Sequence, residues 1–354
     1  MATSAIHKAS SIMTKTSTTA SVTTHNPTRP LRFGLIACSS IAKRRFIPAV
    51  QLTGKAEIVM AGSRNPDTAK AYAQDNQIPE WGSYEDVLNN PDIDCVYIST
   101  PPTLHEEWVI KAAQHNKHVL CEKPAVTSFD AAKRCINACQ ENGVKFFEGY
   151  VYKFHPQHQF IKEKFSQLGQ PFKFNSHYAV PAPKEGNIRY DTSLKGGVFY
   201  DALGYGISAM LYYFDASPES VLAQAYHHPE HGVDQAVSLT LRYPSLPLVQ
   251  VFAGFGLQYR SRYELHCENG IITPKRAYAI NEDVSPQIEI DTDDGVETVS
   301  LDPANQFLEM VNGFCEYVHT GKETYLINQD HMLKQHHIMQ KAWESLEAKK
   351  VVEI

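Results

Sequence analysis

Several features are absent from this sequence, and each absence excludes a class of protein. No apolar run approaches the roughly 20 residues that a membrane-spanning helix needs, so we expect no membrane segment. A net charge of −6 provides no basic surface for a nucleic acid. The seven cysteines are an odd number and include no Cys-x-x-Cys pair, so we expect reduced thiols in a cytoplasmic protein.

The first 30 residues lack aspartate and glutamate and are rich in serine, threonine and alanine. Such a segment cannot bury a core, so we expect residues 1–30 to be a disordered tail. It has few arginines for a transit peptide and no apolar core for a signal peptide. The rest of the 354-residue chain is long enough for two globular domains.

Short apolar runs alternate with helical stretches up to about residue 150. Runs of this length between helices are typical of buried parallel strands, and their order predicts a right-handed βαβ sheet of the Rossmann type. Pairs with capping-box spacing, Ser83 with Asp86 and Thr103 with Glu106, predict two helix starts, and Ser128 predicts a third. The predicted strands are 31–37, 57–61, 95–99, 118–121 and 145–148.

After residue 150 the pattern changes to longer alternating stretches. They predict an α+β domain built on a large, mostly antiparallel open sheet, so the fold class is α/β followed by α+β. We expect a dinucleotide-binding domain at 31–150 and a substrate-binding domain at 151–354, with the last helix packed back on the first domain. The predicted strands are 172–180, 220–226, 236–243, 248–255 and 263–267, and the predicted helices are 158–168, 201–213, 305–319 and 330–349.

The turn after the first strand departs from the usual dinucleotide fingerprint. Aligned with Gly-x-Gly-x-x-Gly/Ala, it has Ala37 and Ser39 in place of two glycines, and only Ala42 fits. The following helix amino terminus is still an anion site, and the hydroxyl of Ser39 or Ser40 can donate to a phosphate. A plain βα turn is the alternative interpretation.

The end of the second strand bears on the choice between NAD and NADP. NAD sites carry an acidic residue there for the ribose hydroxyl, but this chain has Gly62-Ser63-Arg64-Asn65. A guanidinium pairs with phosphate in bidentate fashion, so Ser63 and Arg64 predict NADP(H) in preference to NAD(H).

Glu122-Lys123-Pro124 follows the predicted strand at 118–121. The triplet therefore lies at the carboxyl end of the sheet, where doubly wound folds bind ligands. The proline ends the strand, and a lysine at this edge can reach both a cofactor and a substrate. A solvated lysine in a surface turn is the alternative.

These motifs together resemble the glucose–fructose oxidoreductase, inositol dehydrogenase and rhizopine-catabolism (GFO/IDH/MocA) superfamily. The resemblance covers the chain after residue 30 and rests on Ala37-x-Ser39-x-x-Ala42, Ser63-Arg64, Thr100-Pro101-Pro102-x-Leu104-His105 and Lys117-His118-Val119-Leu120-Cys121-Glu122-Lys123-Pro124. It implies a soluble oxidoreductase that is a homodimer or homotetramer. The residues that it implies for the cofactor are Ala37, Ser39, Ser40, Ile41, Ser63, Arg64, Thr100, Pro101, Leu104, His105, Glu122 and Lys123.

A second set of motifs is similar to NADPH-dependent 3-ketoreductases that act on nucleotide-linked deoxysugars. It consists of His155-Pro156-Gln157-His158, Gly186-Asn187-Ile188-Arg189-Tyr190, Gly196-Gly197 and Asp201-x-x-Gly204-Tyr205. In those enzymes the lysine of Glu-Lys-Pro and the tyrosine of the last motif are catalytic, which implies Lys123 and Tyr205. Many other members of the superfamily have histidine where Tyr205 stands.

The residues themselves suggest how this chemistry would work. Ketone reduction needs a positioned acid, and Tyr205 qualifies if Lys123 lowers its pKa from about 10. Asp201 lies one helical turn earlier, so we expect it to support Lys123 in the same cleft. A core aromatic is the alternative for Tyr205. The candidates for substrate binding are His158, Lys184, Arg189, Tyr190 and Asp201.

The sequence leaves three functions open. The first is reduction of a keto group on a small sugar, nucleotide-linked in the favoured case. The second is oxidation of a free sugar, inositol or a trans-dihydrodiol, and the third is an NADP-binding regulator without catalysis. We expect no metal site, because His155 and His158 have no cysteine or acid beside them.

Overall fold

The computed structural model describes residues 29–214, 216–244, 248–324 and 326–354. The expected tail therefore lies outside the described residues, apart from its last two positions. None of the helices in the described ranges combines the length and apolar character that crossing a bilayer requires.

Fifteen strands and nine α-helices organise these residues. The strands are β1 (Leu31–Ile36), β2 (Ala56–Gly62), β3 (Glu80–Gly82), β4 (Cys95–Ile98), β5 (His118–Glu122), β6 (Phe146–Gly149), β7 (Pro171–Val180), β8 (Ser220–His227), β9 (Asp234–Arg242), β10 (Leu248–Phe255), β11 (Arg260–Cys267), β12 (Gly270–Pro274), β13 (Gln287–Thr292), β14 (Gly295–Ser300) and β15 (Val352–Glu353). The helices are α1 (Ile47–Thr53), α2 (Pro66–Asp75), α3 (Tyr84–Asn89), α4 (His105–Gln114), α5 (Phe129–Glu141), α6 (Pro156–Phe165), α7 (Gly204–Phe214), α8 (Gln306–Thr320) and α9 (Gln329–Ala348).

The first six strands form one parallel sheet in the order β3-β2-β1-β4-β5-β6. The predicted Rossmann-type sheet is thus confirmed. The strand order reverses between β1 and β4, which is the switch point where such sheets bind ligands. The turn after β1 and the ends of β4 and β5 therefore lie at one edge.

The remaining strands form a nine-stranded sheet in the order β14-β13-β12-β11-β7-β10-β9-β8-β15. Its pairs are antiparallel except for β7 with β10. The predicted large, mostly antiparallel sheet is also confirmed. Helix α7 packs its Ile207 and Met210 into the core of this sheet.

The two C-terminal helices contact both halves of the molecule. Phe314 of α8 lies in the core of the first sheet, with its ring 5.9 Å from that of Phe33. Helix α9 places Met332 in the same half and Ile338 and Ala342 in the core of the second sheet. The last 50 residues therefore connect the two sheets.

The helix starts follow the sequence at two of three predicted places. Ser83 and Asp86 form a reciprocal capping box, and Ser128 Oγ accepts a hydrogen bond from Ala131 N at 3.2 Å. The capping box predicted at Thr103 and Glu106 is wrong. Residues Pro102–Leu104 form a 3₁₀ turn, and α4 begins at His105 without a side-chain cap.

Candidate active site

A cleft of about 730 Å³ lies between the carboxyl edge of the parallel sheet and the second sheet. Ser39, Thr100 and Lys123 line the wall formed by the parallel sheet, which is called the cofactor wall because it carries predicted cofactor residues. Tyr178 and Arg189 line the other wall, which is called the substrate wall. The parallel sheet brings the first group together, because the carboxyl ends of its strands meet at one edge. Its volume is within the range of small-molecule and cofactor sites.

Lys123, Asp201 and Arg189 meet inside this cleft. Lys123 Nζ lies 2.6 Å from the main-chain oxygen of Asp201 and 3.2 Å from its Oδ1. From the other side, Arg189 Nε donates to Asp201 Oδ2 at 2.6 Å and Nη2 donates to Oδ1 at 3.2 Å. One carboxylate therefore holds two cations contributed by distant parts of the chain.

Tyr205 completes this group. Its ring centroid lies 5.0 Å from Lys123 Nζ, and the ring packs edge-on against Tyr150 and Tyr178. Asp201 ends up on the same side as Tyr205, because the helical turn Phe199–Leu203 runs directly into α7. The structure thus brings together the three residues expected to do the proton chemistry.

Burial and charge shift the pKa values of this group in opposite directions. Burial alone would raise the pKa of Asp201, but the charges of Lys123 and Arg189 outweigh it and hold that pKa well below its ordinary value. Burial, together with the carboxylates of Glu122 and Asp201, raises the pKa of Tyr205. The expectation that Lys123 lowers the pKa of Tyr205 is therefore corrected. The ammonium of Lys123 is paired with Asp201, and burial makes the largest contribution to the pKa of Tyr205.

Glu122 and His105 lie beside Lys123 on the cofactor wall. Tyr97 donates a hydrogen bond to Glu122 Oε1, and burial raises the pKa of that carboxyl. His105 is 1% exposed, and its ring nitrogens lie 2.9 Å from Pro124 O and 2.7 Å from Thr100 O. His105 therefore links the ends of β4 and β5.

The cofactor wall carries polar atoms that have no protein partner. Within the described residues, the buried hydroxyls of Ser99 and Thr100 make no hydrogen bond, and both residues line the cleft. Ser39 Oγ accepts from Ala42 N at 3.1 Å, which leaves its own proton available to a ligand. Unpaired hydroxyls beside a helix amino terminus fit a phosphate-containing cofactor. Ser40 and Ile41 line the same wall.

Five other predicted cofactor residues lie outside the lining of the cleft. Arg64 is exposed beyond the end of β2 beside Tyr84, and Ser63 lies next to it with Oγ accepting from Asn65 N at 3.2 Å. Ser63 and Arg64 follow β2, which pairs with β1, so they lie one strand away from the turn after β1. The others outside the lining are Ala37, Pro101 and Leu104.

Three of the predicted substrate residues are not in the cleft. His158 is 0% exposed, with Nε2 2.9 Å from Ala277 O and Nδ1 2.9 Å from Tyr263 Oη. This corrects its predicted contact with substrate, because both ring nitrogens are used in the core. Tyr190 donates to Pro183 O at 3.1 Å, and Lys184 is exposed to solvent outside the cleft lining.

The structure also adds residues that the sequence did not single out. Tyr178 and Tyr278 line the substrate wall, with ring centroids 5.1 and 5.4 Å from that of Tyr205. Across the cofactor end, Arg45 Nη1 lies 2.9 Å from Glu282 Oε2. The inward alternation of β7 was a signal for Tyr178, but no local pattern marks Tyr278 or Glu282. Within the described ranges, no group of three or more histidine, cysteine or acidic side chains is arranged to hold a metal.

Comparison with known protein families agrees with this architecture. A family model described as an oxidoreductase family with an NAD-binding Rossmann fold matches residues 31–150, and a GFO/IDH/MocA C-terminal domain matches residues 162–273. Fold and site thus define an oxidoreductase with a dinucleotide-binding domain. The chain belongs to the GFO/IDH/MocA family, as its sequence motifs indicated.

Individual relatives carry several activities. A dTDP-3,4-didehydro-2,6-dideoxy-alpha-D-glucose 3-reductase of Saccharopolyspora spinosa is 30% identical over 83% of this chain and 89% of its own length. A D-xylose 1-dehydrogenase (NADP(+)) of Haloferax volcanii is 30% identical over 92% of this chain and 100% of its own. Among solved structures, this chain is similar to the 3-ketoreductase KijD10 of Actinomadura kijaniata in complex with NADP and TDP-benzene. The TM-score is 0.85 and the sequence identity is 27%, and the match covers 90% of this chain and 98% of KijD10.

Proposed function

We propose that this protein is an NADP(H)-dependent reductase of a sugar ketone, with a nucleotide-linked deoxyhexose as its substrate. The observation that carries the proposal is the convergence of Lys123, Tyr205 and Asp201 in one cleft with unpaired hydroxyls on its cofactor wall. In this proposal residues 31–150 bind the cofactor and residues 151–354 bind the sugar.

The chain's own residues supply the proton and the electrostatic support. When bound, a reduced nicotinamide supplies the hydride. Tyr205 donates its phenolic proton to the carbonyl oxygen, and the ammonium of Lys123 stabilises the negative charge that develops there. Asp201 holds that ammonium in place through its main-chain and side-chain oxygens, while Arg189 fixes the carboxylate from the other side.

The protonation state of Tyr205 is the one that a proton donor to a carbonyl needs. Because burial raises its pKa, the phenol keeps its proton over the neutral range. Reduction needs that proton, whereas oxidation of an alcohol needs a phenolate to accept one. Tyr205 is therefore in the protonation state from which carbonyl reduction starts.

The cofactor hypothesis rests on two kinds of support. An arginine and a serine follow β2 where NAD sites carry an acid, and NADP is named for KijD10 and for the xylose dehydrogenase. Ser39, Ser40, Ser99 and Thr100 would hold the phosphates and the nicotinamide half.

A free sugar is the second candidate substrate, and one observation favours it. A nucleotide diphosphate needs cations, but Arg189 on the substrate wall and Lys123 on the cofactor wall are both paired with Asp201. Lys184, which is also a predicted substrate residue, lies outside the cleft lining. Oxidation of an aldose such as D-xylose needs no such contact.

A matched substrate panel separates these functions. Purified protein with NADPH is offered dTDP-3,4-didehydro-2,6-dideoxyglucose and free ketoses, and protein with NADP⁺ is offered D-xylose, inositol and a trans-dihydrodiol. We expect the highest kcat/KM for the nucleotide-linked ketone. A higher value for xylose would establish the second candidate, and tight NADPH binding without turnover of any compound would establish a regulator. Tyr205→Phe is the control for background reduction.

A further inference from the structure

The main chain that follows Lys123 passes between the cleft and helix α9. Two buried side chains hold it there. Ala125 N donates a hydrogen bond to Glu148 Oε1 at 2.8 Å, and Pro124 O lies 2.9 Å from His105 Nδ1. The position of Lys123 therefore depends on contacts made one and two residues later in the chain.

Glu148 is itself paired with a residue of α9. His336 Nε2 lies 3.0 Å from Glu148 Oε1, the same oxygen that accepts from Ala125. The two side chains are 5% and 2% exposed, so water competes little for either group. Burial would raise the pKa of Glu148, but His336 and the amide of Ala125 outweigh it and lower that pKa.

Charged and titratable groups surround this pair on several elements. Lys153, in the turn after β6, faces Glu148, and burial lowers the pKa of Lys153 to about 8. His105 of α4 and Tyr150 after β6 also interact electrostatically with Glu148. The carboxylate of Glu148 is thus the shared acceptor at the centre of this region.

Helix α9 makes a second contact with the same stretch of chain. Gln340 Oε1 accepts a hydrogen bond from Phe129 N at 3.1 Å, and Gln340 lies one helical turn after His336. One face of α9 therefore contacts Phe129 directly and Ala125 through Glu148. Nothing in the proposed proton chemistry requires these contacts, which leaves them without an assigned role.

We propose that Glu148 and His336 are positioning residues for Lys123, an inference that rests on the proposed function of that lysine. Glu148 fixes the main chain beside Lys123 through the amide of Ala125, and His336 balances and orients the carboxylate. Removing either partner leaves a buried polar group unpaired, so residues 123–125 would shift. The ammonium would then leave its place between Asp201 and the ring of Tyr205.

Alanine and glutamine variants at both positions test this inference. We expect Glu148→Ala and His336→Ala to lower kcat by about 10- to 100-fold, because a small displacement of a reacting group has an effect of that size. The KM for NADPH should change by less than about threefold, because the pair does not contact the cofactor wall hydroxyls. Glu148→Gln keeps an acceptor for Ala125 and His336→Gln keeps a donor, so both should restore part of the rate. Lys341→Ala is the control, because Lys341 pairs on the same helix with Glu344 at the surface.

A chemical readout makes the test independent of the substrate. Competitive acetylation with acetic anhydride, followed by mass spectrometry, compares Lys123 with the exposed Lys322 in the same sample. Lys123 is 15% exposed and paired, so we expect its relative labelling to rise by at least about twofold in the alanine variants. A smaller change in a folded variant would overturn the inference, even if the melting temperature fell.

The two proposals can fail separately. If wild-type protein reduces no carbonyl, the proposed function fails and the labelling ratio alone decides the positioning role. If one alanine variant does not fold, the alanine variant at the other position decides by the same twofold criterion. Unchanged labelling with a lowered kcat would show that the pair acts elsewhere and would also overturn the inference.

Discussion

At the residue scale, the charge of Asp201 determines how the candidate site is arranged. Its carboxylate holds Lys123 and Arg189 at once, and those contacts span 78 and 12 residues of sequence. A charge-assisted pair of this kind is directional and specifies geometry more than it adds stability. This arrangement places Lys123 beside the phenol of Tyr205. In the proposed function, the rate of carbonyl reduction should depend on that phenol.

Replacing Tyr205 with phenylalanine tests that dependence. We expect Tyr205→Phe to lower kcat for ketone reduction by about 10²- to 10⁴-fold, because it removes the proposed general acid. Binding of NADPH, followed by fluorescence, should change little. Tyr226→Phe is the matched control, since Tyr226 is 62% exposed. Equal rates for the two variants would remove Tyr205 from the mechanism.

Arg64 provides a test of cofactor preference at the same scale. Arg64→Ala should weaken NADPH binding by about 10- to 100-fold, the value of one charge-assisted contact, while NADH binding stays the same. Titration of both cofactors by fluorescence measures the ratio. Arg134→Ala, which removes a surface arginine paired with Glu106, should leave it unchanged. A parallel loss for NADH would refute a contact with the 2′-phosphate.

Individual residues differed in how well the sequence predicted them. Lys123 was predictable because a strand end fixes where its side chain can reach, and Asp201 because helical spacing fixes its relation to Tyr205. His158 was not, since its sequence neighbours cannot distinguish a residue that faces a cleft from one that faces a core. The raised pKa of Tyr205 depends on burial by residues far apart in sequence, which no local pattern reveals.

At the scale of elements, the turn after β1 stores backbone strain. Ala37 has φ of 100°, a conformation that favours glycine. The strain at Ala37 costs the folded state roughly 1–3 kcal/mol. A glycine would instead cost roughly 0.5–1 kcal/mol, because it gives the unfolded chain more conformational entropy to lose on folding. The strain is therefore the larger cost. Ala37, which stands at the first glycine position of the fingerprint, thus keeps a backbone conformation that favours glycine.

Ala37→Gly should therefore stabilise the protein by about 1 kcal/mol. Differential scanning calorimetry should show a melting temperature higher by about 1–2 °C. Ala71→Gly, at an exposed position within α2, should instead lower it, because glycine weakens a helix interior. A decrease for both variants would mean that the turn is not strained.

The sequence predicted the elements unevenly. Buried strands such as β4 and β5 were found within a residue or two, because parallel strands are continuous apolar runs. Strands β12, β13 and β14 were missed between 270 and 300. β14 is largely exposed and polar, so its place comes from pairing with β13 and not from an apolar pattern.

At the scale of the whole molecule, two buried histidines make stability sensitive to acid. Burial lowers the pKa of His155 to about 4 and that of His158 to about 3. Both are neutral in the folded chain, whereas in the unfolded chain they take up protons near pH 6.5. The stability they contribute is therefore complete above that pH and is lost as the pH falls toward 4 and 3.

We expect the two histidines to lower the free energy of unfolding by on the order of 5 kcal/mol between pH 6.5 and 4. Urea titrations across that range measure it. His158→Gln should flatten the dependence, although it also weakens the core. His227→Gln, at the exposed end of β8, should leave the slope as it is. An unchanged slope in the His158 variant would contradict the assignment.

The contacts of α8 have a consequence for synthesis of the protein. Phe33 and Phe46 emerge early from the ribosome, yet Phe314, which covers them, is translated more than 260 positions later. This apolar surface of the amino-terminal half therefore stays uncovered until residues 306–320 have been made. Any stop codon before residue 306 would therefore release a fragment that exposes this surface and is prone to aggregate or to be degraded.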